Sequence, residues 1–331
     1  MLNPSLKLNP KIFNDDVEQV PIRKGFGEGL ALAGETNKNI VALSADLTES
    51  TQMHFFKEKF PERFIEIGVA EQNLAAVSSG LAAMGKYPFF SSYAMFSPGR
   101  NWEQIRTTLA YNDRHAVIVG SHAGVSVGPD GGTHQAIEDI ALMRVVPRMT
   151  VLSPCDAIQA KKMTLALSEN PTLAYLRLAR EKTPIITTED TPLEIGKGQI
   201  LYRPEGLAHV AIIATGGLVA NALRVAKELG EKKHIKVLVV NIHTIKPLDT
   251  ELIIKVAKET KAIVTVEEHQ TTGGLGGAIA ECLAQNAPTA IEFVGVQDQF
   301  GQSGTPNQLI EHYGMGADGI TSAVLKVIDR K

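Results

Sequence analysis

Short β-branched runs alternate along this chain with longer stretches whose apolar residues recur at helical spacing, and few architectures accept that alternation. The first half carries NIVALSAD (39–46), RFIEIGV (63–69), PFFSSYAMF (88–96), HAVIVGS (115–121), MTVLSP (149–154) and TLAYLRL (172–178). Between them lie AEQNLAAVSSGLAAMG (70–85), NWEQIRTTLAYND (101–113) and CDAIQAKKMTLALSEN (155–170), each amphipathic at helical period. Strands separated by helices pair in parallel, because the crossover returns each strand to the sheet in the same direction.

At Glu181 to Gly198, EKTPIITTEDTPLEIGKG, prolines, threonines and charges replace periodic pattern, which reads as a linker. The same grammar then resumes. Runs HVAIIAT (209–215), IKVLVVNI (235–242), AIVTVEE (262–268) and TAIEFVGV (289–296) alternate with VANALRVAKELGE (219–231), DTELIIKVAKET (249–260) and GGAIAECLAQN (276–286). The expected fold is therefore α/β, two open, mainly parallel sheets with helices on both faces. The first domain spans residues 1–190 and the smaller second spans 191–331, within a 331-residue chain long enough for two cores.

Charge and hydropathy exclude several function classes. A formal net charge of −3, with basic residues scattered, lacks the footprint of a phosphate-backbone binder, so no nucleic acid is expected. No apolar run approaches the roughly 20 residues that span a bilayer. The N-terminal stretch MLNPSLKLNPKIFNDD has no signal-peptide hydrophobic region, so no membrane association is expected and the cytoplasm is the expected compartment. Cys155 and Cys282 lack metal-ligand spacing and read as small buried hydrophobes.

Chemistry concentrates where parallel strands end, since open α/β sheets bind ligands at their carboxyl edge. The segment GSHAGVSVGPDGGTHQ (120–135) sets His122, Asp130 and His134 among glycines, giving donors and acceptors for a polar ligand on backbone that can approach it closely. Glu71 stands at the join of an apolar run and an alanine-rich helix, either a partly desolvated carboxylate suited to proton exchange or a first-turn complement to the helix dipole. Tyr93 and Phe96, in a chain with 5% aromatic residues, could stack a flat ligand or simply pack the core. Arg177 and Arg180, in YLRLAR, could meet an anionic group or form ion pairs. TGGLVAN (215–221) and TGGLGG (272–277) look like glycine turns for phosphate, yet neither has dinucleotide or Walker A spacing, and TGGLGG reads first as a structural turn. The residues show no metal motif.

Taken in order, SADLTES (44–50), IGVAEQN (67–73), SYAMF (92–96), SHAGVSVGPDGGTHQ (121–135) and YLRLAR (175–180), followed by IHTIKPLD (242–249) and VEEHQTTGGLGGAIAE (266–281), resemble the transketolase family. The resemblance covers nearly the whole chain and implies a pyrimidine-binding (thiamine-diphosphate) domain followed by a C-terminal domain. It implies a transferase that moves a two-carbon ketol unit between ketose and aldose phosphates. Glu71 matches the glutamate that hydrogen-bonds the cofactor's aminopyrimidine and drives the tautomerisation by which its amino group deprotonates the thiazolium carbon. Tyr93 and Phe96 match the aromatic pair around the pyrimidine, and Asp46 matches an acidic position near the cofactor at a subunit interface. His122, Asp130 and His134 match contacts to sugar hydroxyls, His122 being counted with Glu71 as catalytic, and Arg180 matches the arginine that binds the acceptor's phosphate.

One departure matters. Full-length members hold a divalent ion, such as Mg2+, and the diphosphate through a GDG motif in a preceding domain, and no GDG occurs in this chain. The resemblance thus implies the C-terminal subunit of a split transketolase, active with an N-terminal subunit that carries the GDG motif, self-associating through its pyrimidine domain in a two-plus-two heterotetramer. The beta subunits of 2-oxo-acid dehydrogenases and deoxyxylulose-phosphate synthase share AEQ, but His122 ahead of GPDGGTHQ looks more like transketolase. A non-catalytic scaffold subunit is the reading of a different class, and the set Glu71, His122, Asp130, His134 and Arg180 argues against it.

Overall fold

A computed structural model describes residues 1–331. In chain order the first unit runs β1 (Gln19–Pro21), α1 (Ile22–Thr36), β2 (Ile40–Ser44), α2 (His54–Lys59), β3 (Phe64–Glu66), α3 (Glu71–Ala83), β4 (Tyr87–Tyr93) and α4 (Trp102–Gln104). It continues with β5 (Ala116–Ser121), α5 (Asp139–Arg144), β6 (Thr150–Leu152), α6 (Ala157–Glu169), β7 (Leu173–Arg177) and β8 (Lys182–Pro184). The second unit runs β9 (Gln199–Tyr202), β10 (Val210–Ala214), α7 (Val219–Lys233), β11 (Val237–Asn241), β12 (Thr244–Lys246), α8 (Thr250–Thr260), β13 (Ala262–Gln270), α9 (Leu275–Asn286), β14 (Ala290–Val296), α10 (Pro306–His312) and α11 (Ala317–Asp329).

The first sheet has the order β12-β6-β7-β5-β4-β2-β3, the second β14-β13-β10-β11-β9. Pairings in these two sheets are parallel except at the edges made by β12 and β9, and β1 and β8 form a separate antiparallel pair, so the expected α/β class with mainly parallel sheets is what the chain adopts. Central strands β2, β5 and β7 are buried along their whole length, as strands covered on both faces must be. Helix starts follow local chemistry: Asp156 caps α6 through the Gln159 N–H at 2.7 Å, and Asp249 caps α8 through the Leu252 N–H at 3.1 Å.

The units interlock. Strand β12, from the second half of the sequence, closes the first sheet through Thr244 against Leu152. Residues Leu8 and Ile12 bury against the second sheet, and the Asn3 N–H donates to the Leu201 carbonyl at 2.9 Å. One apolar cluster joins Leu43, Phe90 and Ile118 to Ile213, Val240 and Ile263, fixing the orientation of the two sheets by burial.

One stretch differs from expectation in its helix type, and one helix had no expectation at all. Residues 101–113 form a short α-helical turn that passes into a π-helix at Ile105–Tyr111. Helix α1 carries glycines that obscure its pattern, and the structure shows their purpose: a Cβ on Gly25 would stand 1.8 Å from the Ala157 carbonyl oxygen of α6.

Candidate active site

Adjacent strands β7, β5, β4 and β2 run parallel, so the residues just beyond their carboxyl ends converge although they lie far apart in sequence. That edge gathers Tyr93 at the end of β4 and Phe96 beyond it, His122 after β5, Arg180 after β7, and Glu71 at the start of α3.

Glu71 is the first residue of α3 and only 2% exposed. Its Oε2 accepts from Arg100 Nη1 at 2.7 Å, and its carbonyl accepts from Asn101 Nδ2 at 2.9 Å. The apolar setting expected for this carboxylate therefore contains a guanidinium. That guanidinium lies 4.7 Å from the Phe96 ring centroid, and Asn101 Oδ1 is buried with no hydrogen-bond partner. A buried carboxylate, a flat aromatic face and an unsatisfied amide oxygen fit an aminopyrimidine ring, which is planar and offers N–H donors.

Tyr93 and His122 stack with centroids 3.9 Å apart, and Phe96 meets His134 edge-on at 5.3 Å. His122 is 2% exposed, holds a left-handed φ of 56°, and has Nδ1 2.9 Å from Ser121 Oγ. Burial, then the charges of Arg23 and Arg180, hold its pKa down at about 3, so the imidazole is neutral at physiological pH. His134 Nδ1 lies 2.9 Å from Thr133 Oγ1, leaving Nε2 as the free ring nitrogen. Asp130 is exposed at the end of the 3-10 turn Val125–Asp130, and no hydrogen bond ties it to either histidine. Gly128 (φ 84°, ψ −119°) makes the kink that turns this loop back.

Arg180 donates through Nη1 to the Val127 carbonyl and approaches Glu181 at 3.7 Å. Asp46 is exposed beyond β2 with φ 59°, and its N–H donates to Glu66 Oε1 at 2.7 Å. No hydrogen bond joins it to the aromatic cluster.

Of the two alternatives for Arg177, the structure takes the ion pair, here a buried one. Instead of facing an anionic ligand, it is 7% exposed and donates through Nε to Asp139 Oδ2 at 2.7 Å and through Nη2 to the Glu268 carbonyl at 2.8 Å. It is a bond between the two units. Sequence reasoning missed Arg100, which stands in SPGRNW with no local pattern, and Arg23, whose Nε donates to the Arg180 carbonyl at 3.2 Å from the first turn of α1. Only tertiary contact reveals either.

The turn TGGLGG is structural, as expected: Glu267 accepts from the Leu275 N–H at 2.7 Å and the Gly276 N–H at 2.8 Å. Cys155 and Cys282 are free and buried. No group of three or more His, Cys, Asp or Glu side chains is placed to hold a metal ion, and no helix is long and apolar enough to cross a membrane.

Residues 18–185 match the family described as transketolase, pyrimidine binding domain, and residues 177–320 match transketolase, C-terminal domain. A Methanocaldococcus jannaschii protein with the provisional name of transketolase C-terminal section is 43% identical, over 94% of this chain and 97% of its own. A 6-deoxy-6-sulfo-D-fructose transketolase subunit of Clostridium sp. is 38% identical, over 96% of this chain and 98% of its own. A solved structure described as a split gene transketolase, inactive beta4 tetramer, superposes with a TM-score of 0.86 at 42% identity, covering 94% of this chain and 99% of that one. The chain also spans about half the length of full-length transketolases such as the human one, 50% of which it matches. The chain belongs to the transketolase family and corresponds to its C-terminal section, the pyrimidine-binding domain followed by the C-terminal domain.

Proposed function

We propose that this chain is the C-terminal subunit of a split transketolase, transferring a two-carbon ketol unit between ketose and aldose phosphates with thiamine diphosphate. The observation that carries this reading is the buried Glu71 carboxylate beside the Phe96 face, opening onto the wall of Tyr93, His122 and His134. Thiamine diphosphate, when bound, supplies a nucleophilic carbon and an electron sink.

The remaining work belongs to this chain's side chains. Glu71 exchanges its Arg100 bond for one to the aminopyrimidine, Phe96 and Tyr93 pack the ring, and Asp46 borders the cofactor from the interface side. His122 meets a sugar hydroxyl through Nε2 as a neutral imidazole, since Nδ1 is engaged by Ser121. It can therefore accept a proton from that hydroxyl or donate its own, according to tautomer. His134 and Asp130 hold further hydroxyls, and Arg180 receives the phosphate with the donors not committed to Val127.

The diphosphate and its Mg2+ belong, on this reading, to a separate N-terminal subunit with a GDG motif, in a two-plus-two heterotetramer located in the cytoplasm. Inactivity of the related beta4 tetramer supports that dependence. Exposed Val69 (71%), Met84 (82%) and Tyr111 (82%), which flank α3 and end the π-helix, support self-association through the pyrimidine unit. Names of relatives extend the substrate panel to 6-deoxy-6-sulfofructose and apulose 4-phosphate.

The test is a coupled two-carbon-transfer assay on this chain alone, then with the GDG-bearing subunit, thiamine diphosphate and Mg2+. Turnover only in the mixture supports the reading. Turnover by the single chain overturns partner dependence, and decarboxylation of pyruvate without ketol transfer moves the assignment to the 2-oxo-acid or deoxyxylulose branch.

A further inference from the structure

The second unit contains two glycine turns of similar sequence and opposite fate. In TGGLGG the first turn of α9 closes on an anion of the chain itself, the Glu267 carboxylate. In TGGLVAN the turn Gly216–Leu218 leads into α7, a helix of 15 residues, and no side chain caps either element. Its backbone N–H groups and the positive end of the helix dipole are left without the anion that the sister turn has.

This uncapped turn opens on a cleft of about 190 Å³ between the two units. Lys182 from β8 and Arg224 from α7 line the cleft, and neither has a carboxylate within ion-pair distance in the chain. Asn221 adds an amide on the same helix. The floor is Glu268, 7% exposed, whose Oε1 accepts from the Ser126 N–H at 2.5 Å. Burial pushes this carboxyl up from its ordinary value, toward the form that donates a hydrogen bond. The other acid of the lining, Glu181, has Arg180 as its counter-charge at 3.7 Å.

We propose that the cleft is a binding site for a small phosphate monoester, its phosphate held by Lys182, Arg224 and the Gly216–Leu218 turn, its hydroxyls directed to Asn221 and Glu268. A phosphate suits two converging cations and a row of N–H donors better than a planar carboxylate does, because its oxygens point in three directions. The volume fits a short-chain ester and falls below the roughly 300 Å³ at which drug-sized ligand pockets begin. The site is distinct from the active site. Arg180 is absent from the lining and is bonded instead to the Val127 carbonyl. The inference does not depend on the catalytic reading.

Isothermal titration calorimetry of the full chain with glycerol 3-phosphate, without partner or thiamine diphosphate, tests it. The expected result is one saturable site for which inorganic phosphate competes and glycerol does not. The Lys182→Ala/Arg224→Ala variant should weaken binding by at least about tenfold, as loss of charge-assisted contacts to phosphate requires, whereas Arg180→Ala should leave it unchanged. Both replaced side chains are at the surface, so an unchanged melting temperature certifies the fold. As a second arm, Asn221→Trp keeps both charges but fills the cleft, and it should abolish binding. Absence of a saturable phase up to about 10 mM ligand, or binding lost in Arg180→Ala and retained in the double variant, would overturn the proposal.

Discussion

Arg100 bonds Glu71 at 2.7 Å while its guanidinium rests 4.7 Å from the Phe96 ring centroid, so a planar, hydrogen-bonding cation sits between a buried carboxylate and an aromatic face. A planar heterocycle with N–H donors could replace it there with little rearrangement, since Arg100 is 49% exposed and free to swing outward. The pair satisfies Glu71 in the isolated chain and leaves it available to a ligand.

If Glu71 governs proton movement at the cofactor, Glu71→Gln keeps the volume and removes the function. Turnover of the reconstituted enzyme should fall by at least about 10²-fold, the usual contribution of a positioned acid or base. Circular dichroism of the variant should match the parent. Near-normal activity in the coupled assay would remove Glu71 from the mechanism.

Arg180→Ala should raise the KM for phosphorylated aldoses by about tenfold or more, with kcat nearly unchanged, because a phosphate contact far from the reacting carbon contributes uniform binding. The comparison that matters is with the unphosphorylated aldose. An equal rise for both substrates would refute a phosphate role.

Acid should destabilise the protein partly through buried imidazoles. Burial and neighbouring guanidiniums hold His122 at about 3, and burial holds His243 at about 4, against the ordinary value near 6.5. Between those values the unfolded chain binds protons that the native chain refuses, so this contribution is intact above about pH 6.5 and is lost as pH falls. His122→Gln should flatten the dependence of the urea midpoint on pH between about 4 and 6.5. An unaltered slope would show that His122 titrates normally in the folded state.

Arg177 predicts a structural effect. Removing it leaves Asp139, 2% exposed, as an uncompensated buried charge and frees the Glu268 carbonyl of a cross-unit bond. Arg177→Leu should cost about 3–5 kcal/mol of stability, read from chemical denaturation. A loss confined to activity, with the denaturation midpoint unmoved, would instead return Arg177 to the substrate site.

The sequence by itself determined the α/β class, because period-2 and period-3.6 patterns report which faces of each strand and helix must be buried. It also singled out Glu71, Tyr93, Phe96, His122 and His134 as candidates near strand ends, leaving packing or helix-dipole roles open for the glutamate and the aromatics until the family resemblance implied their parts. Tertiary structure alone decided the rest. It brought Arg100 to Glu71 and Arg23 beside Arg180, turned Arg177 inward while Arg180 stayed half-exposed, and wove β12 and the first residues across the two units. It also filled one glycine turn with Glu267 and left its sister open. The physical reason is range: burial period is written in neighbouring residues, but charge pairing and the capping of a turn depend on groups that only the folded chain makes neighbours.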